Sequence, residues 1–111
     1  MNICDLSNGH CLPCEGGVAS LDEASCRAYL VDLPGWELVQ SHIEKTFVFR
    51  NHYEAMAFVN ALAWISHRED HHPEVLIGYK EVRVRYWTHA IGGLSDNDFI
   101  CAAKVEKLLA V

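Results

Sequence analysis

The stretch EDHHPEVLIGYKEVRVRYWTHAIGGLSDND, residues 69–98, determines most of the fold, because it holds two strands, a loop and the start of a helix. In the segment EVRVRYWTH, Val82, Val84 and Tyr86 alternate with Arg83 and Arg85, the period-two pattern of a strand with one buried face. The apolar segment EVLIGY just before it predicts a partner strand in a hairpin. The glycine loop AIGGL follows. A final helix, capped by Ser95 with Asp98 three residues later, is predicted to run to about residue 110.

The residues upstream repeat the order of a helix and a hairpin. Ser20 and Glu23 have capping-box spacing and predict a first helix that begins near Leu21 and ends before the Pro34–Gly35 pair. The segments WELVQ and IEKTFVF predict two short strands that are joined by a tight connection. Residues 52–68 contain no Gly or Pro and predict a long second helix.

The predicted order is helix, strand, strand, helix, strand, strand, helix. This order indicates an α+β fold with a four-stranded antiparallel sheet and three helices on one face. Residues 20–111 are predicted to form this one domain, and residues 1–19 a Cys- and Gly-rich N-terminal extension, a tail or small knuckle, because they lack periodicity. Between residues 55 and 65 only Asn60 is polar, so the second helix is expected to be buried on more than one side and to contact a second subunit.

Composition excludes several classes of protein. The 111-residue chain is 50% hydrophobic and carries a net charge of −6, and no basic stripe of the kind that binds nucleic acid is present. No apolar run approaches the ~20 residues of a membrane span. The N-terminus has neither the basic start nor the apolar segment of a secretory signal. We therefore expect a cytoplasmic protein without nucleic-acid or membrane partners, whose five cysteines are thiols.

Three histidines in the opening stretch suggest a site. A hairpin places the start of its first strand beside the end of its second, which brings His89 next to His71 and His72. Three interpretations are open. The histidines could be unrelated residues of a polar turn and a strand end, they could be ligands of a metal site such as that of a metal-dependent hydrolase, or they could form a proton-transfer site. Adjacent ligands converge poorly on one ion, whereas imidazole, with an unperturbed pKa of about 6.5, both gives and takes protons near neutrality. Spacing favours proton transfer but leaves the three interpretations open.

The same residues resemble a known family. The chain matches the pattern of the pterin-4a-carbinolamine dehydratase family over residues 21–110, and the matching positions are His71, His72, Pro73, Tyr79, Val82, Val84, Thr88, His89, Gly93, Leu94, Ser95 and Asp98. The Cys-containing N-terminal extension is similar to one in some bacterial members. Two positions depart from the pattern: Val75 stands where an aromatic residue is common, and His67 stands where an acidic residue is common.

The resemblance implies a lyase. Members dehydrate 4a-hydroxytetrahydrobiopterin, a pterin-4a-carbinolamine, to quinonoid dihydropterin by histidine general acid–base catalysis, and so recycle the pterin cofactor of aromatic amino acid hydroxylases. The resemblance implies no cofactor and no metal, a homodimer or dimer of dimers, and a hydroxylase as a possible partner. Some relatives act instead as transcriptional cofactors or assembly factors, so a protein-binding module on the same fold is the alternative function.

The resemblance also implies roles for individual residues. His71 and His89 are the proton-transfer pair among the catalytic histidines, and His72 mainly contacts substrate. The substrate ring is further bordered by Asp70, Trp87, Thr88 and Ala90. Asp98 supports the site by holding a histidine ring or only by capping a helix, and Trp36 either walls the pocket or lies in the core.

The cysteines of the extension are a separate question. Cys4, His10, Cys11 and Cys14 supply the four ligands that a structural zinc needs. A single Cys-x-x-Cys is a weak zinc signal, however, and ligation by the adjacent His10 and Cys11 would strain the turn. We therefore favour a mobile, reduced tail over a zinc site. Cys26 and Cys101 are predicted to be small core residues.

Overall fold

The computed structural model describes residues 3–13 and 19–109, without the side chains of the first two. Within these ranges the helices are α1 (Ile3–Ser7), α2 (Glu23–Leu30), α3 (His52–Glu69) and α4 (Asp96–Leu109), and the strands are β1 (Glu37–Val39), β2 (His42–Val48), β3 (Glu74–Ile77) and β4 (Glu81–Tyr86). The strands lie in the order β1-β2-β4-β3, and every neighbouring pair is antiparallel. The predicted α+β fold is confirmed, with α1 added before it.

The core lies on one face of the sheet. The alternation in β4 buries Val82, Val84 and Tyr86 completely, and the register sets Ile43 of β2 opposite Tyr86 and Phe47 opposite Val82. Residues from the helices complete this core, among them Phe58, Leu62 and Phe99. The opposite face carries ion pairs among four charged side chains, namely Glu44, Glu74, Arg83 and Arg85. Burial of the apolar face is what fixes the register of the strands.

The start of α2 differs from the prediction. Asp22, and not Ser20, is the N-cap, because its carboxylate accepts a hydrogen bond from the Ser25 N–H at 2.8 Å. The N–H of Leu21 donates instead to the carbonyl of Leu94 at 2.8 Å. A Cβ atom at Gly93 would lie 2.6 Å from the Cβ of Ser20, so Ser20 is held against the loop that precedes α4. Tertiary contacts therefore shift the helix start to Glu23.

The described part of the N-terminal extension is packed against the domain. Leu6 of α1 is buried in the core, and Lys104 of α4 donates a hydrogen bond to the carbonyl of Ser7 at 2.7 Å. Residues 3–13 therefore do not form the mobile tail that we expected, because α1 buries an apolar side chain against α4. The division of the chain at residues 19 and 20 stays a prediction.

The long helix α3 has a covered side and an uncovered side. Ala55, Phe58 and Leu62 are buried, whereas Tyr53 and Trp64 are exposed, the latter by 62%. The predicted span of residues 52–68 is correct to within one residue. In the part of the chain that the structure describes, no helix is both long enough and apolar enough to pass through a membrane.

Candidate active site

The end of α3 positions two of the predicted histidines. Asp70 is the C-cap and adopts the left-handed conformation, with φ 50° and ψ 43°. The N–H groups of Asp70 and His71 both donate to the carbonyl of Ser66, which closes the helix. Aspartate tolerates this conformation better than most residues other than glycine. The chain then turns into β3, and His71 and His72 lie at the end of the sheet where β4 leaves it.

The loop after β4 positions the third histidine. The N–H of Thr88 donates to the carbonyl of Gly93 at 2.8 Å, and this bridge closes a loop that contains a 3₁₀ turn over His89–Ile91. Gly92 ends the turn with φ 62°, a conformation that side chains with a Cβ rarely adopt. The glycine loop predicted from the sequence therefore holds His89 at the same end of the sheet as His71 and His72.

One cavity of about 550 Å³ brings the three histidines together. This volume lies within the range of small-molecule sites. The rings of His72 and His89 stack with their centroids 6.1 Å apart and an interplanar angle of 24°, and both side chains are exposed, whereas that of His71 is only 12% exposed. The other predicted substrate contacts on the cavity wall are Asp70, Thr88 and Ala90.

A buried carboxylate holds His71. The Oδ1 atom of Asp98 lies 2.6 Å from Nε2 of His71, and Asp98 is fully buried. Its Oδ2 atom accepts hydrogen bonds from the Thr88 hydroxyl at 2.9 Å and from the Ser95 N–H at 3.0 Å. Asp98 therefore performs both roles that the sequence left open, since it holds a histidine ring and also caps α4 through Ser95.

This network selects a tautomer of His71. The Ser95 and Thr88 hydroxyls are 2.7 Å apart, so Ser95 can donate to Thr88 while Thr88 donates to Asp98. Asp98 is thus an acceptor at Oδ2, as an ionised carboxylate is at both oxygens. With Asp98 as a carboxylate, the 2.6 Å contact at Oδ1 requires the proton to lie on Nε2 of His71, which leaves Nδ1 as the nitrogen able to accept a proton.

Tyr86 supports the ring of His71 from the core. The two rings are nearly parallel, at 9°, with their centroids 5.9 Å apart. Burial raises the pKa of the Tyr86 phenol well above its ordinary value, so this residue offers a neutral, flat surface. The alternation in β4 predicted only that Tyr86 is buried and did not mark it as a neighbour of the site.

The two tryptophans lie elsewhere. Trp87 does not line the cavity, but its ring contacts that of His89 with centroids 4.6 Å apart. Trp36 is buried in the core, where its Nε1–H donates to Glu106 at 2.9 Å. The structure thus places Trp36 in the core rather than on the pocket wall, since a hydrogen-bond partner satisfies its one polar atom there.

The cavity also has a wall that the sequence did not predict. Residues 10–13 of the extension line it, together with Arg68, Glu69 and Asn97. No periodicity or motif in the extension indicated that it reaches the histidines. His10 faces Glu69, and the sulfur of Cys11 lies 3.4 Å from that of Cys101. Cys14 and the side chain of Cys4 lie outside the described residues, so the structure does not test the less favoured alternative of a zinc site on Cys4, His10, Cys11 and Cys14.

Comparison with known proteins identifies the family. A family model described as pterin 4 alpha carbinolamine dehydratase matches residues 19–108. This match covers the whole sheet, the three cavity histidines and Asp98. The chain belongs to the pterin-4a-carbinolamine dehydratase family.

Similar proteins cover nearly the whole chain. A protein of Dechloromonas aromatica (strain RCB) is 66% identical over 97% of this chain and 96% of its own length. One of Nitrosomonas eutropha (strain DSM 101675 / C91 / Nm57) is 58% identical over 97% of this chain and 96% of its own. Both carry the name "Putative pterin-4-alpha-carbinolamine dehydratase".

A solved structure shares the fold. It is described as the crystal structure of a transcriptional coactivator/pterin dehydratase from Brucella melitensis, and it matches with a TM-score of 0.77 and 30% sequence identity. The match covers 97% of that chain but 80% of this one, so part of this chain has no counterpart there.

Proposed function

We propose that this protein is a 4a-hydroxytetrahydrobiopterin dehydratase, a hydro-lyase that forms quinonoid dihydropterin. The observation that carries the proposal is the cavity that gathers His71, His72 and His89, with His71 held by a buried carboxylate, in a member of this family. The cavity is large enough for a bicyclic pterin.

The reaction needs two proton transfers and no redox change. The bond between C4a and its hydroxyl oxygen breaks, and the hydroxyl leaves as water after it receives a proton. N5 loses its proton, and the electron pair of the N5–H bond forms the double bond between N5 and C4a. One group must therefore act as an acid and another as a base, and each such transfer typically contributes ~10²–10⁴ in rate.

In this proposal His71 is the base. Its Nε2–H is directed at Asp98, so Nδ1 is free to accept the N5 proton, and the carboxylate stabilises the imidazolium that forms. His89 supplies the proton to the leaving hydroxyl; its exposure allows it to be reprotonated from water. His72, stacked against His89, contacts the substrate ring together with Asp70, Thr88 and Ala90.

Substitution of the histidines tests these roles. His71→Ala and His89→Ala should each lower kcat by ~10²–10⁴, because each removes a proton donor or acceptor. His72→Ala should act mainly on KM. His67→Ala is the matched control, since this exposed histidine of α3 does not line the cavity. Full activity of the double variant at His71 and His89 would overturn the acid–base mechanism.

The proposal extends to the setting of the reaction. The substrate would come from an aromatic amino acid hydroxylase, and the dehydration would be one step in the recycling of its pterin cofactor in the cytoplasm. A homodimer or a dimer of dimers is proposed as the assembly, with the exposed side of α3 as its contact. Support for this comes from Trp64, a large apolar side chain that the single chain leaves exposed.

A second candidate is a protein-binding or coactivator module on the same fold. The Brucella melitensis protein is described as a transcriptional coactivator as well as a pterin dehydratase. The exposed Tyr53 and Trp64 on α3 are apolar groups that a protein partner could cover. Dehydration of the pterin by the purified chain favours the enzyme, and its absence favours the module.

A further inference from the structure

We propose that residues 10–13, here called the strap, form a substrate-binding wall of the catalytic cavity, with Leu12 in contact with the pterin and with Glu69 and Asn97 as positioning residues. This proposal rests on the proposed function, because it concerns the same cavity. The strap lies outside residues 19–108, which the family model matches.

Glu69 fixes the first half of the strap. Its Oε1 atom accepts a hydrogen bond from the Cys11 N–H at 2.7 Å, and its Oε2 atom lies 3.1 Å from Nδ1 of His10. The Glu69 side chain is only 6% exposed, and Lys104 lies 3.9 Å from its Oε2. Burial raises the pKa of Glu69, but the two hydrogen bonds and the charge of Lys104 outweigh that effect and hold the pKa below its ordinary value. At neutral pH this carboxylate is therefore ionised and anchors the strap.

Asn97 fixes the second half. Its Oδ1 atom accepts from the Leu12 N–H at 3.0 Å, and its Nδ2 donates to the Leu12 carbonyl at 2.6 Å. The sulfur of Cys11 also lies 3.4 Å from that of Cys101 in α4. Both backbone groups of Leu12 are thus satisfied by one buried side chain, which fixes the strap at the cavity that His71 and Thr88 also line.

The fixed backbone presents an apolar side chain. Leu12 is 73% exposed and lines the cavity with the catalytic histidines. An exposed leucine on a mobile tail needs no explanation, but one held by two hydrogen bonds at a cavity wall can bury its surface on a flat ring without ordering the chain first. The chemistry of the wall fits a planar heterocycle, since it combines an apolar side chain with imidazole rings.

The comparisons separate the strap from the rest of the site. The proteins of Dechloromonas aromatica and Nitrosomonas eutropha match over 97% of this chain, so the few residues left unmatched cannot account for the whole strap. The match to the Brucella melitensis structure covers 97% of that chain but only 80% of this one. The catalytic cavity is thus extended by the strap in this chain beyond the part that the family model covers.

Kinetics of Leu12→Ala test the wall. The variant should raise KM for 4a-hydroxytetrahydrobiopterin roughly tenfold through lost apolar contact, and should leave kcat within about twofold, because no proton-transfer group changes. Val31→Ala is the control: this residue is 80% exposed and does not line the cavity, so KM should not change. An unchanged or lower KM in Leu12→Ala would overturn the proposal.

The anchoring of the strap by Glu69 can be measured without catalysis, from the reactivity of Cys11. Alkylation of Cys11 by iodoacetamide, followed by peptide mass spectrometry, reports whether the strap is held. Glu69→Ala should raise both the Cys11 labelling rate and KM, whereas Glu69→Gln, which keeps an acceptor for the Cys11 N–H, should restore both in large part. Equal labelling in the wild type and Glu69→Ala would show that Glu69 does not position the strap.

The same labelling separates failure of the strap from failure of the proposed function. Bound 7,8-dihydrobiopterin, a pterin that lacks the 4a-hydroxyl, should slow labelling of Cys11 severalfold in the wild type. Protection without dehydration would support the strap and refute the dehydratase. Dehydration without protection and without a KM effect in Leu12→Ala would support the dehydratase and refute the strap.

Discussion

Asp98→Asn should disable the proposed base while it preserves the shape of the site. Two donors, the Thr88 hydroxyl and the Ser95 N–H, face Oδ2 of Asp98, so the amide oxygen of the asparagine must take that position. The amide NH₂ group then faces Nε2 of His71, where the wild type has a carboxylate oxygen at 2.6 Å. His71 must become an acceptor at Nε2, its proton moves to Nδ1, and it can no longer take the N5 proton.

The expected loss follows from the bond that is removed. A hydrogen bond to a charged group contributes about 1.5–3 kcal/mol, which corresponds to a fall in kcat of roughly 10–150-fold. The wrong tautomer would add to this loss, since the same aspartate-to-asparagine change in the Ser-His-Asp triad of a serine protease lowers kcat by about 10⁴. Stopped-flow kinetics on 4a-hydroxytetrahydrobiopterin measures kcat, and thermal unfolding checks that the variant is folded.

Asp96→Asn is the matched control for this experiment. Asp96 lies in the same first turn of α4 and is exposed, and it accepts a hydrogen bond from the Tyr29 hydroxyl at 2.7 Å. The asparagine keeps that acceptor, so kcat should stay at the wild-type value. A native kcat in Asp98→Asn, or an equal loss in both variants, would refute the tautomer argument.

Three further predictions concern stability and assembly. The pKa of Glu69 is lower in the folded protein than its ordinary value of 4.5, so the ionised carboxylate stabilises the folded state at pH values above 4.5. The wild type should therefore unfold at a higher temperature than Glu69→Gln at neutral pH, and this difference should vanish as the pH falls through 4.5 and below. A difference that does not change with pH would contradict this prediction. Trp64→Arg should shift the protein toward a 12.5 kDa monomer in light scattering, whereas a wild type that is already monomeric would refute the proposed contact. Trp36→Phe should lower the free energy of unfolding by about 1.5–3 kcal/mol, because the hydrogen bond to Glu106 is lost, and should leave KM unchanged. A higher KM would indicate that Trp36 contacts the substrate after all.

Much of the fold was predictable because the spacing of apolar residues along each strand or helix indicates which of its faces is buried. The alternation of Val82, Val84 and Tyr86 predicted one buried face for β4, and the structure confirms that face. Both predicted hairpins form, which brings His89 beside His71 and His72. The gathering of the histidines therefore followed from antiparallel pairing, which depends on residues close together in the sequence.

The remaining features depend on contacts between distant residues. Ser20 has capping-box spacing, but its packing against Gly93 and the bond from Leu21 to Leu94 leave the capping to Asp22. The strap is held by Glu69 and Asn97, which lie more than 50 residues away in the sequence. No local pattern encodes such pairs, so a segment without periodicity was expected to be a tail although it lines the cavity.

The dehydratase proposal is tested most directly by the stopped-flow rate of dehydration of 4a-hydroxytetrahydrobiopterin by the purified wild-type protein, measured with and without a chelator. Acid–base catalysis predicts a large acceleration over the spontaneous reaction and the same rate with the chelator, because imidazole groups transfer both protons. A rate equal to the spontaneous one would contradict the dehydratase. Loss of activity with the chelator and its restoration by zinc would contradict acid–base catalysis by His71 and His89 alone.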